Sequence, residues 1–104
     1  MKYEYCQDSL IIKLYAEIDH FTSKTLRSEI DTLILAGGFS SVVLDLKEIT
    51  FIDSTGVGLI LGRYKLLRDM NKSLYISSPA PEIDKVLMVS GVYTIVKKLS
   101  KNLK

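Results

Sequence analysis

An α/β fold with a mixed sheet follows from three observations on this chain. A stretch of alternating residues at the start meets a more apolar run across a short polar break. Further on, segments with helical apolar spacing alternate with short β-branched runs. Gly37-Gly38 and Ser90-Gly91 then stand where two of those helical segments should stop. Helices alternating with strands behind an initial hairpin make a sheet with helical cover.

Along the chain, Lys2–Gln7 sets Tyr3 and Tyr5 against Glu4 and Cys6, Asp8-Ser9 supplies a turn, and Leu10–Tyr15 returns as a strand. From Phe21 to Ala36, Leu26, Ile30, Leu33 and Leu35 fall near helical spacing, with Asp19 and Thr22 as caps at the start and glycine at the end. Ser41–Leu46 is short and nearly all apolar, the pattern of a central strand covered on both faces. A helix over Thr55–Arg68 and a strand over Ser73–Ser77 come next. Pro81 opens a third helix with Ile83, Val86 and Leu87 on one side, and Val92–Val96 is the predicted last strand.

The 104 residues fit one domain, 1–104, large enough to be stable without staples. Hydrophobic residues at 47% and charged ones at 25% belong to a globular protein rather than a disordered one. A formal charge of +2 is too small to point to a nucleic-acid or membrane partner. Four of the last eight residues are lysines, which reads as a solvated end. Cys6 stands alone, which suits a reducing compartment, and in a first strand it should be a small buried hydrophobe. No apolar run is long enough to cross a bilayer, and Met1-Lys2-Tyr3-Glu4-Tyr5 is no signal peptide. A cytoplasmic location is expected.

The most informative run is Phe51 to Lys65. It sets Asp53 and the Ser54 hydroxyl where an apolar strand ends and a helix begins. The first helical turn has unpaired N–H groups and the positive end of the macrodipole, so it favours an anion. At 100° per residue, Val57, Ile60, Leu61, Tyr64 and Leu67 form the core stripe. Thr55, Gly58, Leu59, Gly62, Lys65 and Leu66 lie opposite. Two interior glycines cost about 1 kcal/mol each relative to alanine. They mark either close packing inside the fold or a flat strip for a partner. Enzyme chemistry finds no footing. Gly56-Val57-Gly58 lacks the P-loop lysine and the dinucleotide fingerprint. Ile52 breaks the nucleophile-elbow pattern around Ser54, and His20 is the single histidine. No Cys/His cluster suggests a metal, and no cofactor is implied.

Asp53-Ser54-Thr55-Gly56 followed by Gly62-Arg63-Tyr64-Lys65 resembles the phosphoacceptor motif of STAS domains, and specifically of bacterial anti-sigma factor antagonists, above all those of sporulation. The resemblance covers nearly the whole chain. It implies a STAS-like fold, with a mixed sheet, an N-terminal hairpin and helices packed mainly on one face. It implies that Ser54 is the phosphorylated residue, with Thr55 the second choice. The unphosphorylated protein would bind an anti-sigma factor that is also a serine kinase and so release the sigma factor. Phosphorylation would end that binding, and a serine phosphatase would restore it. This chain would be a substrate, not an enzyme, acting through Glu17, Asp19, Asp53, Thr55, Gly56, Gly58, Leu59, Gly62 and Leu66. The alternative is a STAS-like ligand-binding or scaffold module of a sensory complex. Two departures stand out. Ala16 occupies the glycine position of the family's Gly-Glu-x-Asp stretch, and few residues remain for the helix that relatives carry after the last strand.

Overall fold

The computed structural model describes residues 1–99. β1 (Lys2–Cys6) runs antiparallel to β2 (Ser9–Ile18), with Cys6 opposite Ser9. The hairpin turn is therefore Gln7-Asp8 rather than Asp8-Ser9, and Gln7 takes the left-handed conformation (φ 56°) suited to a two-residue loop. β1 is the outer strand, and all five of its residues are exposed. Cys6 is exposed with them, which corrects the expectation of a buried thiol. A strand at the edge has a paired neighbour on one side only.

After the hairpin come α1 (Ser23–Ala36), β3 (Ser41–Ile52), α2 (Ser54–Asp69), β4 (Ser73–Ser77) and α3 (Pro81–Val89). A single 3-10 turn (Val92–Thr94) and β5 (Lys97–Lys98) complete the described order. The strands lie in the order β1-β2-β3-β4-β5, and β2 to β5 are parallel. The three crossovers step the same way across the sheet. Such connections are right-handed, so all three helices fall on one face.

Burial follows that arrangement. Leu10, Ile12 and Leu14 of β2, Val42, Leu44 and Leu46 of β3, and Leu74 and Ile76 of β4 are buried. Ile30 and Ile34 of α1, Ile60 and Leu67 of α2, and Ile83 and Leu87 of α3 join them in one core. Ile11, Lys13, Asp45 and Tyr75 alternate onto the opposite face, where they are partly covered.

Two strands outrun their predicted ends. β2 continues to Ile18 and β3 to Ile52, because Ile18, Ile49 and Ile52 supply buried anchors beyond the polar Glu17 and Lys47-Glu48. The predicted strand over Val92–Val96 is instead the 3-10 turn. The Val96 amide donates to the Val92 carbonyl (2.8 Å), so a coiled backbone turns both buried valines inward. The Tyr93 hydroxyl and Lys98 ammonium both reach the Asp84 carboxylate, tying this end to α3. The helix expected to be truncated or missing after the last strand concerns residues outside the described ones.

α1 and α2 are joined by an ion pair that hydropathy would not place. Arg63 of α2 is buried, its Nε 2.8 Å from Asp31 Oδ1 of α1, with the approach lying off the N–H direction. Burial lowers the Arg63 pKa, Asp31 opposes that shift, and Arg27 adds to it. The Asp31 side chain is 29% exposed, although the Oδ1 that faces Arg63 is itself buried. Removing one partner of a fully buried pair costs about 3–5 kcal/mol. With that exposure, Arg63→Ala should destabilise by about 2 kcal/mol in urea unfolding. A change within about 0.5 kcal/mol would assign the pair to the surface class.

Candidate functional site

The extra length of β2 and β3 builds the site. Glu17 pairs with Phe51 and Ile18 with Ile52, so Asp19 and Asp53 leave the sheet side by side. Asp53 is extended and caps α2, its Oδ1 accepting from the Gly56 amide (3.0 Å). Its Oδ2 accepts from the His20 amide (3.2 Å), which fastens the loop after β2 to the same helix end. The Gly56 amide above all, with those of His20 and Thr55, holds the Asp53 carboxyl below its ordinary value against the opposing effect of burial. Ser54 and Thr55 are the first two helical residues, and both are exposed.

Gly56 is the reason the helix can start here. An added Cβ would collide with the Ile18 carbonyl and lie 2.8 Å from Ile52 Cγ1. The sequence reading put Gly56 among the partner contacts, but it is buried, and its missing side chain serves the fold. Leu59 also departs from that reading. It is 7% exposed and packs in the core. The buried arc is Gly56, Val57, Leu59, Ile60, Arg63 and Leu67, while Leu61 and Tyr64 are half-buried. The helix is rolled relative to its hydropathy plot, because a glycine and a paired arginine face inward.

Gly58 and Gly62 remain open: a Cβ on either would meet nothing within 4 Å. Close packing therefore does not account for them. Thr55, Gly58 and Lys65 are exposed, and Gly62 and Leu66 half-buried, so they leave a nearly bare strip running from Ser54.

The neighbouring loop is tied by its own side chains. Asp19 Oδ1 accepts from the Phe21 and Thr22 amides (3.0 Å each). The Thr22 hydroxyl accepts from the Asp19 amide (3.0 Å) and donates to the Glu17 carbonyl (3.1 Å). Asp19 thus shapes the loop, whereas Glu17 is exposed beside it. Ala16 has φ 65°, the left-handed region where glycine is at ease. The backbone there keeps a glycine conformation although the residue is alanine.

One feature escaped the sequence reading. A groove of about 410 Å³ separates the start of α2 from α3, lined by Asp53, Ser54, Val57, Lys85, Val86, Val89 and Ser90. Val86, predicted on one side of α3 with the buried Ile83 and Leu87, is 37% exposed, and Val89 is 78% exposed. The available signal was the run Val86-Leu87-Met88-Val89, which is apolar over more than one helix face. Among the described residues, no three His, Cys, Asp or Glu side chains gather as a metal site needs. No described helix is long and apolar enough to cross a membrane.

The comparisons with known proteins agree with this fold. The STAS domain family matches residues 2–104. The chain belongs to the STAS-domain family. This STAS domain is 36% identical over 93 residues to the anti-sigma F factor antagonist of Paenibacillus polymyxa, a match covering 89% of this chain and 80% of the relative. Its fold is similar to unphosphorylated SpoIIAA, an anti-sigma factor antagonist (TM-score 0.79, 28% identity, 96% of this chain and 88% of that one). It is also similar to the phosphorylated form of SpoIIAA, a Bacillus cell fate determinant (TM-score 0.71, 28% identity, 96% and 91%).

The glycines and Ala16 yield opposite expectations. Gly56→Ala should cost about 3 kcal/mol, the top of the overpacking range, because the Ile18 backbone cannot move aside. Gly62→Leu should leave stability unchanged or raise it by up to about 1 kcal/mol, from helix propensity alone. Ala16→Gly should stabilise by a few tenths to about 1 kcal/mol, relief of the positive φ outweighing the freer unfolded chain. Denaturant midpoints of the three variants check all of this, and loss of stability in Gly62→Leu would put that residue inside the fold.

The acid limb of stability tests the cap. The Asp53 pKa is depressed in the folded state, so its contribution is complete above the ordinary value of 3.8. It is lost as pH falls through the lower folded value. The stability gap between the wild type and Asp53→Asn should therefore close as pH drops below 3.8, in parallel urea titrations. A gap that persists unchanged at lower pH would remove the charge from the account.

Proposed function

We propose that this STAS domain is a cytoplasmic anti-sigma factor antagonist whose binding is switched by phosphorylation of Ser54. Unphosphorylated, it binds an anti-sigma factor that is also a serine kinase, and the sigma factor is released. The kinase transfers the γ-phosphoryl group of ATP to Ser54 Oγ, ADP departs, and the hydroxyl proton passes to a base of the kinase. A serine phosphatase later hydrolyses the ester. The chain is the substrate of both reactions and catalyses neither.

The observation that carries this reading is the placement of Ser54. It is exposed at the first position of a capped helix, and the open edge of α2 formed by Gly58 and Gly62 begins beside it. The helix terminus accepts the added charge, whereas an acidic partner surface does not. A phosphate brings about −1.5 to −2 charges next to Asp53. At about 5 Å from one partner carboxylate, each charge costs about 3 kcal/mol at an effective dielectric near 20. About 1.4 kcal/mol is already tenfold in affinity. On this reading Thr55, Gly58, Gly62 and Leu66 meet the partner, with Glu17, Asp19 and Asp53 at the rim. The names of the relatives and the phosphorylated state of SpoIIAA support the same role.

Incubation with ATP and an anti-sigma kinase should add one phosphate, seen in intact mass. Ser54→Ala should abolish the addition and Thr55→Ala should keep it. Phosphate mapped to Thr55 or elsewhere contradicts the assignment. Gly62→Leu should block binding to the kinase by at least tenfold in a pull-down titration without loss of fold. A small molecule that fills the groove while the kinase ignores the protein would favour the ligand-binding alternative.

A further inference from the structure

We propose that Lys85 of α3 is the intramolecular counter-ion of a phosphate on Ser54, and that its closure over the groove withdraws the apolar surface beside that serine. The inference rests on Ser54 being the phosphorylated residue, and goes beyond it to what the phosphate does within the chain. Ser54 and Lys85 line the same groove from two different helices. The rest of that lining is Asp53, Val57, Val86, Val89 and Ser90, so Asp53 is the one carboxylate within the groove that competes for an ammonium group.

The charges nearby leave Lys85 available. It takes part in none of the ion pairs found among the described residues. Asp53 shares the groove, but its two oxygens accept from the Gly56 and His20 amides. Asp84, the preceding residue, is held by Tyr93 and Lys98. Glu82 lies three residues before Lys85 on exposed helix, where a single-charged pair is worth little. A phosphate with nearly two charges and three acceptor oxygens outcompetes such a carboxylate.

The consequence is a second arm to the switch. A lysine drawn across the groove lays its methylene stem along the apolar wall while its head meets the phosphate. Val86 and Val89, 37% and 78% exposed here, are then shielded by the chain itself. Phosphorylation would repel an acidic partner and also remove apolar surface it could use.

The test places phosphoserine at position 54 by genetic encoding, so no kinase has to recognise the protein. The second pKa of the phosphate is then followed by phosphorus NMR in four proteins. The wild type should titrate about 0.5 pH unit below Lys85→Gln, since a nearby cation favours the dianion. Lys85→Arg should restore the lower value. Lys65→Gln removes an exposed cation of α2 that does not line the groove, and should match the wild type. Equal values in wild type and Lys85→Gln overturn the proposal, as does an equal shift in Lys65→Gln. A null result here with kinase modification of Ser54 intact rejects the counter-ion alone. The shift without any kinase modification rejects the proposed function alone.

Discussion

Gly56 lies against the Ile18 carbonyl at a separation no other side chain permits. That contact sets where α2 begins, and the rest of the site depends on it. β2 and β3 deliver Ile18 and Ile52 as a pair, and the helix is seated on their ends through Gly56, which has no Cβ. With the start fixed, Asp53 reaches the Gly56 amide, the His20 amide reaches Asp53, and Ser54 is left on the outside. The roll of α2 follows too. Arg63 turns inward to Asp31, and Gly58 and Gly62 turn outward.

The two kinds of glycine in this helix have opposite meanings. Gly56 is required by backbone contact, whereas nothing in the described fold asks for Gly58 or Gly62. Each of the latter carries the helix-propensity cost of about 1 kcal/mol with no packing return. A bare strip retained at that cost beside an exposed hydroxyl is what the proposed interface uses. The sequence plot could not separate the two kinds, because both present the same residue type at helical spacing.

Local chemistry was legible in the sequence, and tertiary consequences were not. The hairpin, the three helices and the glycine end of α1 all depend on residues near one another in the chain. The errors lie where distant elements decide. Leu59 is buried and Val86 exposed because α2 is rolled and α3 stands apart from it at the groove. Arg63 is buried because Asp31, on another helix, meets it. Val92–Val96 coils, its Val96 amide bonded to the Val92 carbonyl rather than to a neighbouring strand, with both valines buried. At Ala16 the backbone is left-handed although the residue is alanine, held between the register shifts of β2 and β3.

On the proposed reading, one charged group at Ser54 decides whether a partner binds, with no large rearrangement of the fold. Calorimetric titration of an anti-sigma kinase with the unphosphorylated and the phosphorylated protein measures that directly. Binding should be at least tenfold tighter for the unphosphorylated form, the minimum expected from about 1.4 kcal/mol of repulsion. Equal affinities for the two forms would contradict it.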